Sequence, residues 1–184
     1  FSGNLAYYGG ALSAYETTLN LSDNVFEDNE ATYGGIMYLY GCTINATHDL
    51  YQWNRCRNGG GGAISSLGTD GIFEYCDFLG NYSPADGGAV SSFSDDDLTF
   101  RRCLFANNTG DDGSALYAGP RTTMVVDECT LFLNRDTTND NDSGQVAVDL
   151  GRIDLIHTLI TNGLSTAAAA SQGGEVVAFE CNIH

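Results

Sequence analysis

Apolar residues along this chain fall in short alternating runs and nowhere hold a helical spacing over a dozen residues. Gly9-Gly10-Ala11-Leu12-Ser13, Leu19-Asn20-Leu21, Thr99-Phe100, Met124-Val125-Val126 and Glu175-Val176-Val177 are examples. Runs of this length, separated by Gly, Asn and Asp, predict short strands joined by tight turns. A longer period is superimposed on them. Phe26-x-x-Asn29 is followed by Gly34-Gly35-Ile36-Met37, Phe78-x-x-Asn81 by Gly87-Gly88-Ala89-Val90, and Phe105-x-x-Asn108 by Gly113-Ser114-Ala115-Leu116. Phe1-x-x-Asn4 with Gly9-Gly10-Ala11-Leu12 opens the series. Trp53-x-x-Cys56 with Gly61-Gly62-Ala63-Ile64 fits it with Cys in the Asn slot, and Leu131-x-x-Asn134 and Leu159-x-x-Asn162 are weaker copies.

The apolar column so defined is Phe1, Phe26, Trp53, Phe78, Phe105, Leu131, Leu159 and Ile183, with spacings of 25, 27, 25, 27, 26, 28 and 24. Two residues earlier runs a second column: Asn24, Tyr51, Cys76, Cys103, Cys129, His157 and Cys181. Two columns in one register imply one β-coil per repeat. The Leu-x-x-Leu-x-Leu phrase of leucine-rich repeats is absent. The expected fold is all-β, a parallel β-helix (solenoid) of about seven coils of ~26 residues, forming a single domain over 1–184. Phe26, Trp53, Phe78, Phe105 and Leu131 are expected to stack inside. Asn29, Asn81, Asn108 and Asn134 are expected at a corner, bonding backbone groups and one another. The Gly pair supplies positive φ and close approach at the next corner.

Phe-x-x-Asn followed by Gly-Gly-Ala-(Ile/Leu/Val) resembles the repeat phrase of chlamydial polymorphic outer-membrane proteins, clearly over residues 1–131 and weakly beyond. The resemblance implies a right-handed parallel β-helix in an extracellular, adhesin-like region. Cys56 and the last two coils depart from the phrase, and nothing resembling a membrane-anchoring β-barrel follows.

Composition narrows the function. The 184 residues carry 24 acidic and 7 basic side chains, a formal net charge of -17, and all seven basic residues are Arg. Such a chain lacks the basic footprint that nucleic acid requires and is repelled by anionic lipid. No apolar run reaches the ~18 residues that span a bilayer. The chain starts on a core Phe and stops just past a Cys-column position, without polar caps. The expectation is a segment of a longer solenoid, or one whose ends stack on partners, including end-to-end copies of itself. The chain widens after Asn134 and after Asn162, and a third excursion is expected from Tyr38 to Asp49.

Asp86 and Asp112, with Asp142 in the equivalent place and Asp111 alongside, precede the Gly pair in consecutive coils. Stacked carboxylates ~5 Å apart are candidate ligands for Ca²⁺. They are equally compatible with solvated surface charge. Asp95-Asp96-Asp97 and Asp136/Asp140/Asp142 are secondary candidates, without the spacing of an EF-hand loop. Asp86, Asp111 and Asp112 would also be the acidic centre of a carbohydrate-active hydrolase or lyase, a chemistry that parallel β-helices host. The paired Asp of Gly110-Asp111-Asp112-Gly113 faintly resembles polygalacturonase-like hydrolases. Arg152-Ile153-Asp154 departs from their basic signature, and Arg101 and Arg102 are expected to face outward. Stacked Cys residues are expected to act mainly as small hydrophobes, while Cys42 and Cys56 are candidates for a disulfide. His157 is expected at the core edge. Of five sequons, at Asn20, Asn45, Asn81, Asn107 and Asn141, the candidates for glycosylation are Asn45 and Asn141 in loops; Asn81 should be buried. The favoured reading is an extracellular or cell-surface structural and adhesive module contacting protein or glycan, and the alternative is the carbohydrate-active enzyme.

Overall fold

The computed structural model describes residues 1–137, 144–161, 166–171 and 173–183, and among them there are strands and no helix. One coil shows the plan. Ile64–Leu67 lies in a first wall, Asp70–Glu74 in a second and Asp77–Leu79 in a third. The chain then turns at Asn81 and returns through Gly87-Gly88 to Val90–Ser92, one rung further along the first wall. Every strand pairs in parallel with its equivalents above and below, as in Ile64↔Val90, Phe73↔Phe100 and Phe78↔Phe105. Each wall has seven strands, so the described chain makes about six turns of the expected parallel β-solenoid. A narrow fourth ladder joins Leu5–Tyr8, Glu30–Tyr33 and Arg55–Cys56, and runs on through bridges at Tyr82 to Thr109–Gly110 and Arg135–Asp136.

Alternation within strands sorts side chains to the two faces of each wall. In the second wall Ile44/Ala46, Leu98/Phe100, Met124/Val126 and Ile153/Leu155 are buried, while the residues between them face out. The third wall stacks Phe1, Phe26, Tyr51, Phe78 and Phe105 with ring centroids 4.9, 5.3, 4.6 and 4.7 Å apart in turn. Phe73 and Phe100 of the second wall meet this stack edge-on. Phe1 is exposed at the end of the stack; burying each of the other rings contributes about 1.5–3 kcal/mol.

Corner chemistry sets the register. Asp28, Trp53, Asn107 and Leu133 all have φ of 53–57°, with Gly80 at 61°, and each immediately precedes the corner Asn. The repeat phrase is therefore an aromatic, one strand residue, one left-handed residue, then Asn. Tyr51-Gln52-Trp53-Asn54 fits it, so the core aromatic is Tyr51 and the corner residue is Asn54. Trp53, expected inside, is 60 % exposed because the left-handed turn directs it outward. In the later coil Ile160 replaces Leu159, as its pairing with Leu131 and Ile183 shows.

The second column corrects in parallel to Asn24, Asp49, Cys76, Cys103, Cys129, Thr158 and Cys181. Its links include the Asn24 amide donating to Asp49 Oδ1 at 2.7 Å and the Cys129 amide to Thr158 Oγ1 at 3.3 Å. His157, expected at the core edge, occupies the left-handed position before Thr158 (φ 46°) and is exposed beside Asp127 and Glu180. The expected excursion from Tyr38 to Asp49 is regular wall, comprising Met37–Tyr40 and Thr43–Thr47.

The Asn corner is a continuous internal ladder. Asn81 Oδ1 accepts from the Asn54 amide and Nδ2 at 3.1 and 3.0 Å, while Asn81 Nδ2 donates to Asn108 Oδ1 and to the Tyr51 carbonyl at 3.0 and 2.9 Å. Asn29, Asn108 and Asn134 repeat the arrangement, and the Asn134 amide group ends it on Gln145 Oε1. Each buried Asn thus satisfies the turn it sits in. At the Gly pair, a Cβ on Gly88 would lie 2.0 Å from the Ser114 carbonyl oxygen, so the rungs can approach there only without one.

Candidate functional site: the outer face of the first wall

The outer face of the first wall changes character from rung to rung, whereas the interior repeats. One outward column runs Ser13, Tyr38, Ser65, Ser91, Tyr117 and Ala147. At its start lies a tyrosine platform. Met37–Tyr40 buries Met37 and Leu39 and turns Tyr38 and Tyr40 out; Leu12–Tyr15 turns out Tyr15. Tyr7, Tyr8 and Tyr33, from the fourth ladder, close on them. Tyr8 contacts Tyr38 and Tyr7 at 4.7 Å and stacks on Tyr33 at 5.5 Å, and Tyr15 meets Tyr40 at 5.8 Å. Tyr7 and Tyr15 are 60 % and 56 % exposed. This platform was missed in the sequence, although six of the ten tyrosines lie in the first 40 residues. The alternation Met37-Tyr38-Leu39-Tyr40 was the available signal.

Ser65 and Ser91, in the middle of the column, are fully buried and their Oγ atoms have no hydrogen-bond partner. The chain around Gly60 and Asp86 crosses above Ser91: a Cβ on Gly60 would lie 2.4 Å from Ser91 Oγ and 2.8 Å from the Asp86 carbonyl oxygen.

Beyond them lies the acidic group. Asp86 and Asp112 stack as the spacing predicted, with the Gly61 amide donating to the Asp86 carbonyl and the Gly87 amide to that of Asp112. Asp111 sits alongside, its amide donating to the Ala85 carbonyl at 3.0 Å. Asp149 joins them from Gly144–Asp149, an addition the repeat phrase did not indicate. Burial, then the charges of Asp112, Asp111 and Asp149, push the Asp86 carboxyl up to about 6. Burial, then the charges of Asp86, Asp149 and Asp112, push the Tyr117 phenol up to about 12. Asp149 Oδ1 is buried without a hydrogen-bond partner. Among the described residues no three His, Cys, Asp or Glu side chains form a group that could hold a metal ion. Asp142, Asp140 and Asn141 lie outside the described residues.

The other candidates separate. Asp95 pairs with Arg121, whose hydrogen bonds hold its carboxyl down at about 2. Asp96 is buried at the corner between the first and second walls, accepting from Ser66 Oγ, Ser92 Oγ and the Thr69 amide. Burial there raises its carboxyl to about 6 despite those bonds. Arg101 pairs with Glu74 and Asp127, and Arg102 with Glu128, both away from the acidic group on the second wall and its corner. All six Cys are free, so Cys42 and Cys56 do not pair. Cys42 bonds the Tyr40 carbonyl at one corner, and Cys56 bonds Thr32 and Gly59 in the fourth ladder. Hydrogen bonding to the next thiol and burial push Cys76 and Cys103 well above the ordinary thiol range, which leaves them protonated and poor nucleophiles.

Asn81 is buried, as expected. Asn45 lies mid-strand in Thr43–Thr47 rather than in a loop, because Cys42 forms the corner before it. It is exposed and donates to Asn20 Oδ1 at 3.2 Å. The two side chains line a shallow groove of about 420 Å³ with Ser22, Thr47, Ile72 and Glu74. Comparison with family models, curated proteins and solved structures returned no match.

Proposed function

We propose that this chain is a structural and adhesive module of the cell surface or extracellular space, a stiff β-solenoid that presents its recognition surface on the outer face of the first wall. The tyrosine platform carries this reading. Tyrosine offers a large amphipathic ring with few rotatable bonds, which suits it to recognition. Here six rings are held on paired strands, with Tyr7, Tyr8, Tyr15 and Tyr40 exposed and Tyr33 and Tyr38 half-buried between them. The likeness of the repeat phrase to polymorphic outer-membrane protein repeats supports surface placement. The net charge of -17 argues against nucleic acid as the partner. End-to-end association through the strand edges of terminal rungs belongs to the same reading.

Beads carrying the chain should be retained on intact cells and on surfaces coated with proteins or glycans. The Tyr15→Ala/Tyr38→Ala/Tyr40→Ala variant should lose that retention. Retention indifferent to the substitutions would remove the reading. Sedimentation across a concentration range tests the association of ends.

One observation favours a second reading, a carbohydrate-active enzyme. Asp86 holds its proton to about pH 6 beside neighbouring acids, and pairs of carboxyls with separated titration serve as acid and base in glycoside cleavage. Release of reducing ends or of unsaturated product from polysaccharides, abolished by Asp86→Asn, would establish it. No release from acidic or neutral polysaccharides would eliminate it.

A further inference from the structure

Resting on the adhesive reading, we infer that the tyrosine platform takes one class of partner: a protein segment bearing arginine or lysine, seated on the rings by cation–π contact. Three independent features of the molecule lead there.

The protein already uses its other surface tyrosines in this way. Arg55 lies over the ring of Tyr82 at 5.0 Å, and Arg102 over that of Tyr75 at 5.4 Å, where its guanidinium also donates to the phenol oxygen. Of the remaining tyrosines outside the platform, Tyr51 is buried in the core and Tyr117 sits among aspartates. Among the described residues, no arginine lies over any of the six platform rings. Tyr8 and Tyr33 cover a face of each other, and the most exposed rings, Tyr7 and Tyr15, carry no cation on theirs.

The charge of the chain has the complementary sign, -17 in all. Nearest the rings, Glu16 is exposed, while Glu30 pairs with Arg57, and Arg55 and Arg57 lie on the next rung of the fourth ladder. Glu16 follows Tyr15 directly, and its amide donates to the Tyr40 carbonyl at 2.8 Å. A cationic segment would be attracted to a chain of this charge, and an anionic one turned away. Burial and the neighbouring tyrosines raise the Tyr8 and Tyr38 phenols above the usual phenol value, which keeps these two neutral.

At Tyr40 the exposure belongs to the sheet face, whereas Tyr7, Tyr8 and Tyr15 stand on Leu5–Tyr8 and Leu12–Tyr15, the end strands of their sheets. Tyr40 is 41 % exposed although Tyr15 and Leu67 flank it on the rungs to either side.

The test measures binding of an octa-arginine peptide at physiological salt, with octa-glutamate and a neutral hexasaccharide of glucose as comparisons. Two triple variants are compared with the native chain: Tyr8→Leu/Tyr15→Leu/Tyr38→Leu, and Phe at the same three positions. Both keep the net charge, and their folding is checked by thermal melting. Octa-arginine should bind the native chain and the Phe variant within about threefold of each other, and the Leu variant about tenfold more weakly. Octa-glutamate should not bind. Equal octa-arginine affinity for the Leu variant would show diffuse charge attraction alone and overturn the inference, as would no binding to the native chain. If the Leu variant instead lost hexasaccharide binding, the adhesive reading would stand and the cationic assignment would fall. If no probe depended on the rings, the adhesive reading itself would fail.

Discussion

The Asn corner and the outer face of the first wall are built on the same rungs and obey opposite rules. At the corner, Asn29, Asn54, Asn81, Asn108 and Asn134 repeat one residue with one set of bonds. On the wall the equivalent positions run Ser, Tyr, Ser, Ser, Tyr, Ala. The corner is buried, and each rung leaves the same polar groups there without water, so each rung needs the same donor and acceptor. On the wall no such demand repeats: Ser13 meets solvent, Tyr38 and Tyr117 are half-buried, and Ser65 and Ser91 are covered by the chain that crosses above them. Recognition can vary on the wall without disturbing the ladder that holds the wall straight.

Substitutions can break this contrast, in descending size. Asn81→Ala removes two donors and two acceptor contacts and leaves the buried Asn54 amide unpartnered. It should cost about 4 kcal/mol or more in chemical denaturation. A small effect would mean that water replaces the side chain at the corner. Phe78→Ala opens a cavity between Tyr51 and Phe105 and should cost about 3–4 kcal/mol.

Asp96→Asn tests burial through pH. The Asp96 carboxyl lies at about 6 when folded against an ordinary value of 3.8, so the folded state binds its proton more tightly than the unfolded state does. Its contribution is greatest below about pH 4 and is lost as pH rises through about 6. Denaturation at successive pH values should show that the native chain loses about 2–3 kcal/mol relative to the Asn variant across this window. Parallel pH profiles would contradict it. Trp53→Ala should change stability by less than about 1 kcal/mol, because the side chain faces out from its left-handed corner. A loss comparable to that of Phe78→Ala would restore Trp53 to the core.

Trp53 also shows how legible the fold was. The period and the Phe/Asn/Gly-Gly phrase were readable because buried positions recur with every turn. At Tyr51-Gln52-Trp53-Asn54 two aromatics compete, and hydrophobicity alone favours the larger. The left-handed residue before Asn54 decides for Tyr51, and backbone φ is not a property that composition reveals. At Leu159-Ile160 two aliphatic residues compete in the same way, and the pairing of Ile160 with Leu131 and Ile183 decides for Ile160. The stacking of Asp86 on Asp112 was legible from the Gly pair that follows each, whereas Asp149 lies outside the repeat phrase and joins them only through the return of the next coil.

The amino-acid order by itself determined that the chain coils, with what period, and which residue types line the inside, because every rung meets the same packing and hydrogen-bonding demands. Only the tertiary structure decided which side chains from different strands share the exterior. Tyr8 meets Tyr38 at 4.7 Å because the fourth ladder closes against the first wall. Proximity between outward side chains depends on the angle at which two sheets meet, and no repeat in the sequence records that angle.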